Sequence, residues 1–251
     1  MTATVAHLVR HPIKAHGRED LASVRLSEGA ALPWDRHWAV AHAGSKFDPA
    51  HPAWTPCGQF QRAARTRTLM AIAARWDEAA GEMRLTHPDL PPLTFRPGTE
   101  GVRLIDWLAP ISPQDGPFRP VALVSAPGQA MTDSDFPSIS IKNLASNAAL
   151  AAHLGQDLSI HRWRGNIWLD GLAPWEERAW IGRTLRIGGA RLRIEEPIGR
   201  CKATTGNPET GESDADTLGA LDDLLGVQEF GVYATVIAAG EVAQGDRAVL
   251  E

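Results

Sequence analysis

Pro197-Ile198-Gly199-Arg200-Cys201-Lys202-Ala203-Thr204-Thr205-Gly206-Asn207-Pro208-Glu209-Thr210-Gly211 is the stretch on which the reading of this chain turns. Its thiol, Cys201, lies between two cations, Arg200 and Lys202, and is followed by hydroxyls and turn residues. A thiolate is both nucleophile and metal ligand, and neighbouring positive charge favours it. Hydroxyls and backbone N–H groups in a Gly/Pro/Asn loop suit an anion. The plainer reading makes Cys201 a small buried hydrophobe, since free cysteines are among the most buried residues. Both readings stay open on these residues alone.

Working backward, Leu185-Arg186-Ile187 and Arg191-Leu192-Arg193-Ile194 alternate apolar and charged residues around Gly188-Gly189. That pattern predicts a hairpin, which delivers the chain to Cys201. Trp163 to Leu169 reads as another strand. Leu144 to Leu154 has helical spacing, with Asn143 or Ser140 to cap its start and Gly155 at its C′ position. Forward of the cysteine, Leu218, Leu221 and Leu225 stop at Gly226 and predict a short helix. Val232 to Ala238 is β-rich, and Val249-Leu250 is expected to pair with it.

In the front half, Val5–Arg10, Ser23–Leu26 and Trp34–Ala41 read as strands, with Pro12-Ile13-Lys14-Ala15 turning outward. Residues 44–60 lack periodicity and form a long loop, a length often tied to function. Leu69–Trp76 and Glu82–His87 predict a hairpin, although the first run fits a helix as well. The proline-rich stretch Pro88–Pro120 marks the expected boundary, with Val121–Val124 opening a second unit. The fold expected is α+β and predominantly β: a barrel-like domain over 1–105, then a second β-barrel with few helices over 115–251.

At 251 residues with 43% hydrophobic and 22% charged residues, the composition is that of an ordinary globular protein with ample length for a core. A net charge of −5 gives no case for nucleic acid or an anionic membrane as partner. Two cysteines, Cys57 and Cys201, make no disulfide framework and fit a reducing compartment. The N-terminus lacks a signal-peptide layout and no apolar run reaches bilayer length, so the expected location is cytoplasmic.

Trp163-Arg164-Gly165-Asn166-Ile167, Asp170-Gly171, Pro174-Trp175, Arg200-Cys201, Thr204-Thr205, Asn207–Gly211, Phe230–Ala234 and Gly245-Asp246 together resemble the MOSC domain, named for the C-termini of molybdenum cofactor sulfurases. Pro12-Ile13-Lys14 and Asp35–Val40 are similar to the N-terminal β-barrel domain that often precedes it. The pairing resembles the two-domain bacterial proteins related to the mitochondrial amidoxime-reducing component. The chain departs from the family pattern at Gly165, where many relatives have proline, at Ala15, where relatives often have Ser, in the loop from Phe47 to Arg62, which is unlike the expected Arg-containing segment, and at Lys142, where relatives are usually apolar.

The resemblance implies a molybdenum-pterin cofactor (Mo-molybdopterin), with Cys201 as catalytic residue and metal ligand. It implies pterin-binding roles for Lys14, Arg36, Arg164, Asn166, Arg200, Thr204 and Thr205. A soft thiolate suits a thiophilic metal, and arginine offers a planar fork for phosphate. Three functions follow from it. The first is an oxidoreductase acting on small N-hydroxylated or N-oxide compounds with a separate redox partner protein. The second is a sulfurtransferase whose Cys201 accepts a persulfide from a pyridoxal-phosphate cysteine desulfurase. The third is a module that only binds or delivers the cofactor.

Other signals weigh less. His7, His11, His16, His37, His42 and His51 crowd the front but lack paired zinc-ligand spacing. Nine tryptophans read as core packing. Asp214-Ala215-Asp216 lacks the calcium-loop pattern.

Overall fold

The structure, a computed structural model, describes residues 3–251. In the front half β1 (Ala3–Arg10), β2 (Glu19–Leu21), β3 (Ser23–Leu26) and β4 (Trp38–His42) precede the long loop. After it come β5 (Ala73–Asp77), β6 (Glu82–His87) and β7 (Leu90–Phe95), then α1 (Gly101–Leu108) and β8 (Pro120–Ser125). The back half begins with β9 (Ile139–Asn143), α2 (Leu144–Leu154), β10 (Ile167–Asp170), β11 (Thr184–Ile187) and β12 (Ala190–Gly199). It ends with α3 (Thr217–Leu225), β13 (Glu229–Ala238), β14 (Gly240–Ala243) and β15 (Arg247–Leu250).

Seven strands close a barrel in the order β10-β9-β13-β12-β11-β15-β1, sealed where β1 pairs with β10. The fold is α+β and predominantly β, with three α-helices among the described residues. The first strand of the chain is thus a stave of the barrel built by its back half. Neighbouring staves run antiparallel except β9 and β10, which run parallel because α2 makes the crossover between them. Alternation fills the interior: along β12, Ala190, Leu192 and Ile194 point in while Arg191 and Arg193 face out. Leu8, Ile141, Ile167, Ile187 and Val232 join them in one core. Burial of each such aliphatic side chain is worth about 1.5–3 kcal/mol.

A second core lies under β4 and β8, the β5-β6-β7 sheet and α1. It packs Trp38, Val40, Leu69, Met83, Phe95 and Leu104 with Ile13. A third lies outside the barrel, where α2 and α3 cover Trp163, Trp168 and Phe230; Trp163 and Phe230 stack at 3.9 Å. No helix among the described residues is long and apolar enough to cross a membrane.

The Gly188-Gly189 hairpin forms as expected. So does the long helix: the Asn143 side chain accepts from the Ala145 N–H, and Gly155 is left-handed at φ 66°. Gly226 ends α3 at φ 69°.

Several expectations fail. Pro12–Ala15 turns inward, burying Ile13 and Lys14, because Ile13 bridges to Trp38. Trp34 and Arg36 lie in a left-handed turn, so β4 begins only at Trp38. Likewise, β10 begins at Ile167, after a 3₁₀ turn. Leu69–Ala71 is a 3₁₀ turn and β5 starts at Ala73. The stretch Pro88–Pro120 holds β7 and α1; β7 is an edge strand, where prolines do no harm. Val121–Val124 belongs to β8, whose partner is β4 of the front half. β15 pairs with β11 and β1, not with β13.

Candidate functional site

One cavity of about 290 Å³ opens between the Cys201 loop, the turns holding Lys14 and Arg36, and the segment Arg162–Arg164. β12 ends at Gly199, and the Arg200 N–H donates to the Gln228 carbonyl (2.8 Å), so the chain leaves the barrel with Arg200 and Cys201 facing the cavity. Cys201 is exposed. Its carbonyl accepts from both the N–H and the Oγ1 of Thr204 (3.1 Å each), which opens a 3₁₀ turn over Lys202–Thr205. Thr204 Oγ1 in turn meets Thr217 Oγ1 at 2.7 Å and anchors the turn to α3.

Arg162 holds the loop from beneath. It is 2% exposed and donates from Nη1 to the Thr204 carbonyl (2.8 Å) and from Nη2 to the Asp214 carboxylate (3.1 Å). At the loop's tip, Gly211 lies against Thr68: a Cβ there would come within 2.6 Å of Thr68 Cα, and φ is +77°, so glycine is required. Arg18 clamps the same tip to the front half through the Pro208 carbonyl (3.0 Å) and Glu209 (2.9 Å).

Three residues of the opposite wall, Ala15, Arg36 and Arg164, have left-handed backbones (φ 65°, 50° and 49°) although none is glycine. Each such conformation costs about 1–3 kcal/mol and persists only when surroundings enforce it. Here they are enforced by mutual contacts. The Arg36 N–H donates to the His11 carbonyl (2.7 Å), its Nη1 meets Asp35, and its Nη2 donates to the Arg164 carbonyl (3.0 Å). Arg164 reaches the Gly17 carbonyl (3.2 Å), and Lys14 donates to the Met131 carbonyl (2.7 Å) and to Asp133 (2.5 Å).

The wall is electropositive: Lys14, Arg36, Arg62, Arg162, Arg164 and Arg200 line it against one carboxylate, Asp133. Burial and the charge of Arg36 bring Arg164 down to about 9. Burial also lowers Arg200. Burial pulls Arg36 the same way, but Asp35 and Asp133 outweigh it and raise the group. Desolvation opposes ionisation of Asp133, yet Lys14 and Arg36 hold its carboxyl at about 2. Tyr233 is pushed up to about 12 by burial and then by Asp133, so it remains a phenol that can donate. Nε of Arg200 and Nε of Arg162 are buried without an acceptor. A crowded set of depressed and under-satisfied guanidinium groups is what an anion of two or more charges would relieve.

The structure therefore gathers Lys14, Arg36, Arg164 and the adjacent Arg200 and Cys201 from four separate segments into one wall. Asn166, Thr204 and Thr205 do not line it. Asn166 is buried, accepting from Ser140 (2.8 Å) and donating to the Val9 carbonyl (3.2 Å), and so ties β9, β10 and β1 together. Thr204 is spent on the loop, and Thr205 Oγ1 donates to the Lys202 carbonyl (2.9 Å). Sequence reasoning missed Arg162, Asp133, Tyr233 and Arg62. The alternation Arg162-Trp163-Arg164 is the one signal that pointed at the first of these. Cys57 lines the same cavity, from the long loop.

Two family models match the chain: the MOSC N-terminal beta barrel domain over residues 2–104 and the MOSC domain over 130–249. Among curated proteins, the molybdenum cofactor sulfurase of Drosophila mojavensis is 31% identical over 140 residues, 54% of this chain and 16% of that protein. That of Drosophila grimshawi is 30% identical over 142 residues, 53% and 18% respectively. The match thus spans less than a fifth of the length of these relatives. Among solved structures, the YUAD protein from Bacillus subtilis superposes with a TM-score of 0.48 at 13% identity, covering 100% of this chain and 96% of that one. YiiM from Geobacillus stearothermophilus gives 0.37 at 19% identity, covering 45% and 53%. The two family models fall in order on the front and back of this fold and between them take in nearly all of it, so the chain belongs to the MOSC family, with its N-terminal barrel domain ahead of the MOSC domain itself.

Proposed function

We propose that this cavity binds a molybdenum-pterin cofactor, with Cys201 as the metal's protein ligand, and that the protein reduces small N-hydroxylated or N-oxide compounds. The observation that carries the reading is the single exposed thiol of Cys201 set in a wall of buried and half-buried cations whose Arg200 and Arg162 Nε atoms lack acceptors. Those groups fit a phosphate-bearing ligand that also brings a thiophilic metal. Lys14, Arg36, Arg164 and Arg200 would hold the phosphate, and Cys201 the metal. The bound group would supply two-electron, oxygen-atom chemistry at molybdenum. This chain's own residues bind and orient it, and Tyr233 keeps a phenol proton at the cavity edge. Electrons would come from a separate redox protein.

Metal and pterin content decide the matter. Protein made in a host competent for molybdenum cofactor synthesis is expected to carry near-stoichiometric molybdenum, and Cys201→Ala to lose it. Full molybdenum in Cys201→Ala would overturn the ligand assignment.

A second reading is favoured by the name shared by the Drosophila relatives, molybdenum cofactor sulfurase, together with the exposure of Cys201. In it Cys201 carries sulfur as a persulfide received from a cysteine desulfurase. A gain of one sulfur atom in mass on the Cys201 peptide, after incubation with desulfurase and cysteine, supports it; an unmodified peptide counts against it.

A further inference from the structure

Arg62, Arg65 and Arg67 fall within six residues just after the loop that carries Cys57. Arg62 lines the main cavity and, with Gln61, a small neighbouring one beside His42 and Phe118. Arg65 and Thr66 are shared between that small cavity and an open groove of about 570 Å³. The three spaces adjoin through these wall residues. Among the described residues none of the three arginines has an ion pair or a side-chain hydrogen bond, and Nε of Arg67 is buried without an acceptor. The Arg65 guanidinium lies 3.5 Å from the Phe118 ring centroid, which fixes its plane while its edge N–H groups remain available. In a chain of net charge −5, this is a local reversal of sign with no carboxylate paired to it among the described residues.

The rest of the groove is of a different kind. Leu90, Pro110, Ile111 and Pro113 give it an apolar side; Thr66 and Ser112 add hydroxyls, and Asp89 is its one carboxylate. The Gln61 amide donates to Ser112 Oγ (3.2 Å) and also meets His16 (3.0 Å), so groove and main cavity share a hydrogen-bonded wall. Two cations and several hydroxyls beside four apolar residues suit a ligand that has both an anionic and an apolar part.

We propose that this groove is a second anion site, which takes a nucleoside monophosphate group, its phosphate on Arg65 and Arg67 and its base against Leu90, Ile111 and the two prolines. The group could be a free nucleotide or the nucleotide end of a longer ligand whose other end lies in the main cavity. The site does not depend on the assignment of Cys201.

The test uses the full chain and equilibrium dialysis with AMP, CMP, GMP and UMP, beside their nucleosides and orthophosphate. At least one nucleotide is expected to bind at least about tenfold more tightly than its nucleoside and than orthophosphate, and more weakly as salt rises. Arg65→Ala with Arg67→Ala is expected to lower that affinity about tenfold or more. Arg65→Lys with Arg67→Lys, which keeps the charge but not the planar fork, is expected to fall between. Cys201→Ala is expected to leave it unchanged, which separates failure of this site from failure of the cofactor reading. Acid release of a stoichiometric nucleoside monophosphate from protein purified from the competent host identifies the longer ligand; binding of added nucleotide with none released identifies the free one. No binding at millimolar concentration with none released, equal affinity in the double alanine variant, or orthophosphate binding as well as every nucleotide overturns the proposal.

Discussion

The Cβ that Gly165 lacks would stand 2.5 Å from Cγ of Lys142. The Cβ that Gly231 lacks would stand 2.5 Å from Cδ of the same lysine, at a φ of +76°. Lys142 is 0% exposed and donates from Nζ to the Phe230 carbonyl (2.7 Å). Its side chain therefore fills the slot the two glycines leave open. Two of the departures from the family pattern, glycine for proline and lysine for an apolar residue, are one packing feature. Gly165→Ala is expected to destabilise by about 1–3 kcal/mol, as overpacking does. In a Lys142→Ala background the penalty should largely vanish, read as a double-mutant cycle of urea midpoints. An unchanged penalty would place the strain elsewhere.

Lys142 also gives a pH signature. Burial and the nearby Arg200 lower its pKa well below the ordinary 10.5, so the unfolded chain binds the proton more readily than the folded one. The penalty is present below 10.5 and fades as pH rises toward it. Lys142→Met is expected to stabilise the protein at pH 7 and to flatten the rise in stability between pH 7 and 10. Denaturant titrations at those two values measure it; equal slopes in both proteins would exclude it.

His11 and His16 act in the acid range. Burial pushes His11 down to about 3 and His16 to about 4, and neutral His16 donates from Nδ1 to the Lys14 carbonyl (2.7 Å). As pH falls through 6.5 the unfolded chain takes up these protons and the folded one does not. Stability is therefore lost between about pH 6.5 and 4, by about 2 kcal/mol per histidine at pH 5. His16→Asn should remove its share of that slope, measured by urea unfolding at pH 7 and 5.

Arg162 is the strut under the Cys201 loop. Arg162→Ala removes a buried charge, takes the side-chain donor from the Thr204 carbonyl and leaves Asp214 to the Asn207 amide. A loss of about 3–5 kcal/mol is expected, with faster amide exchange confined mainly to residues 202–214. Arg162→Lys keeps one donor of the fork and should recover part of it. Exchange unchanged over that segment would show that α3, Arg18 and the Gly211 contact hold the loop without Arg162.

The two thiols differ in access: Cys201 is exposed and Cys57 half-buried. Iodoacetamide at limiting concentration is expected to label the Cys201 peptide first. Inorganic phosphate or an added pterin that fills the cavity should slow both, because both line it. Labelling of Cys57 ahead of Cys201 would contradict the exposure order.

What the sequence determined by itself is local. The β11–β12 hairpin, α2 with its Asn143 cap and Gly155 stop, α3 ending at Gly226, and the singular position of Cys201 follow from period, caps and turn residues close together in the chain. The resemblance added the family and picked out Lys14, Arg36, Arg164 and Arg200. Tertiary structure decided the rest. β1 closes a barrel made by the back half, and β8 returns to β4, because strand pairing is settled by long-range burial that no local pattern encodes. The left-handed turns at Arg36 and Arg164 are imposed by each other's hydrogen bonds, not by propensity. Asn166 and Thr204 look like ligands in the sequence, yet they are spent inside the fold, whereas Arg162 and Asp133 reach the cavity. Whether a polar side chain serves a ligand or its own backbone depends on which donors and acceptors the finished fold leaves unpaired, and that balance exists only once the segments have met.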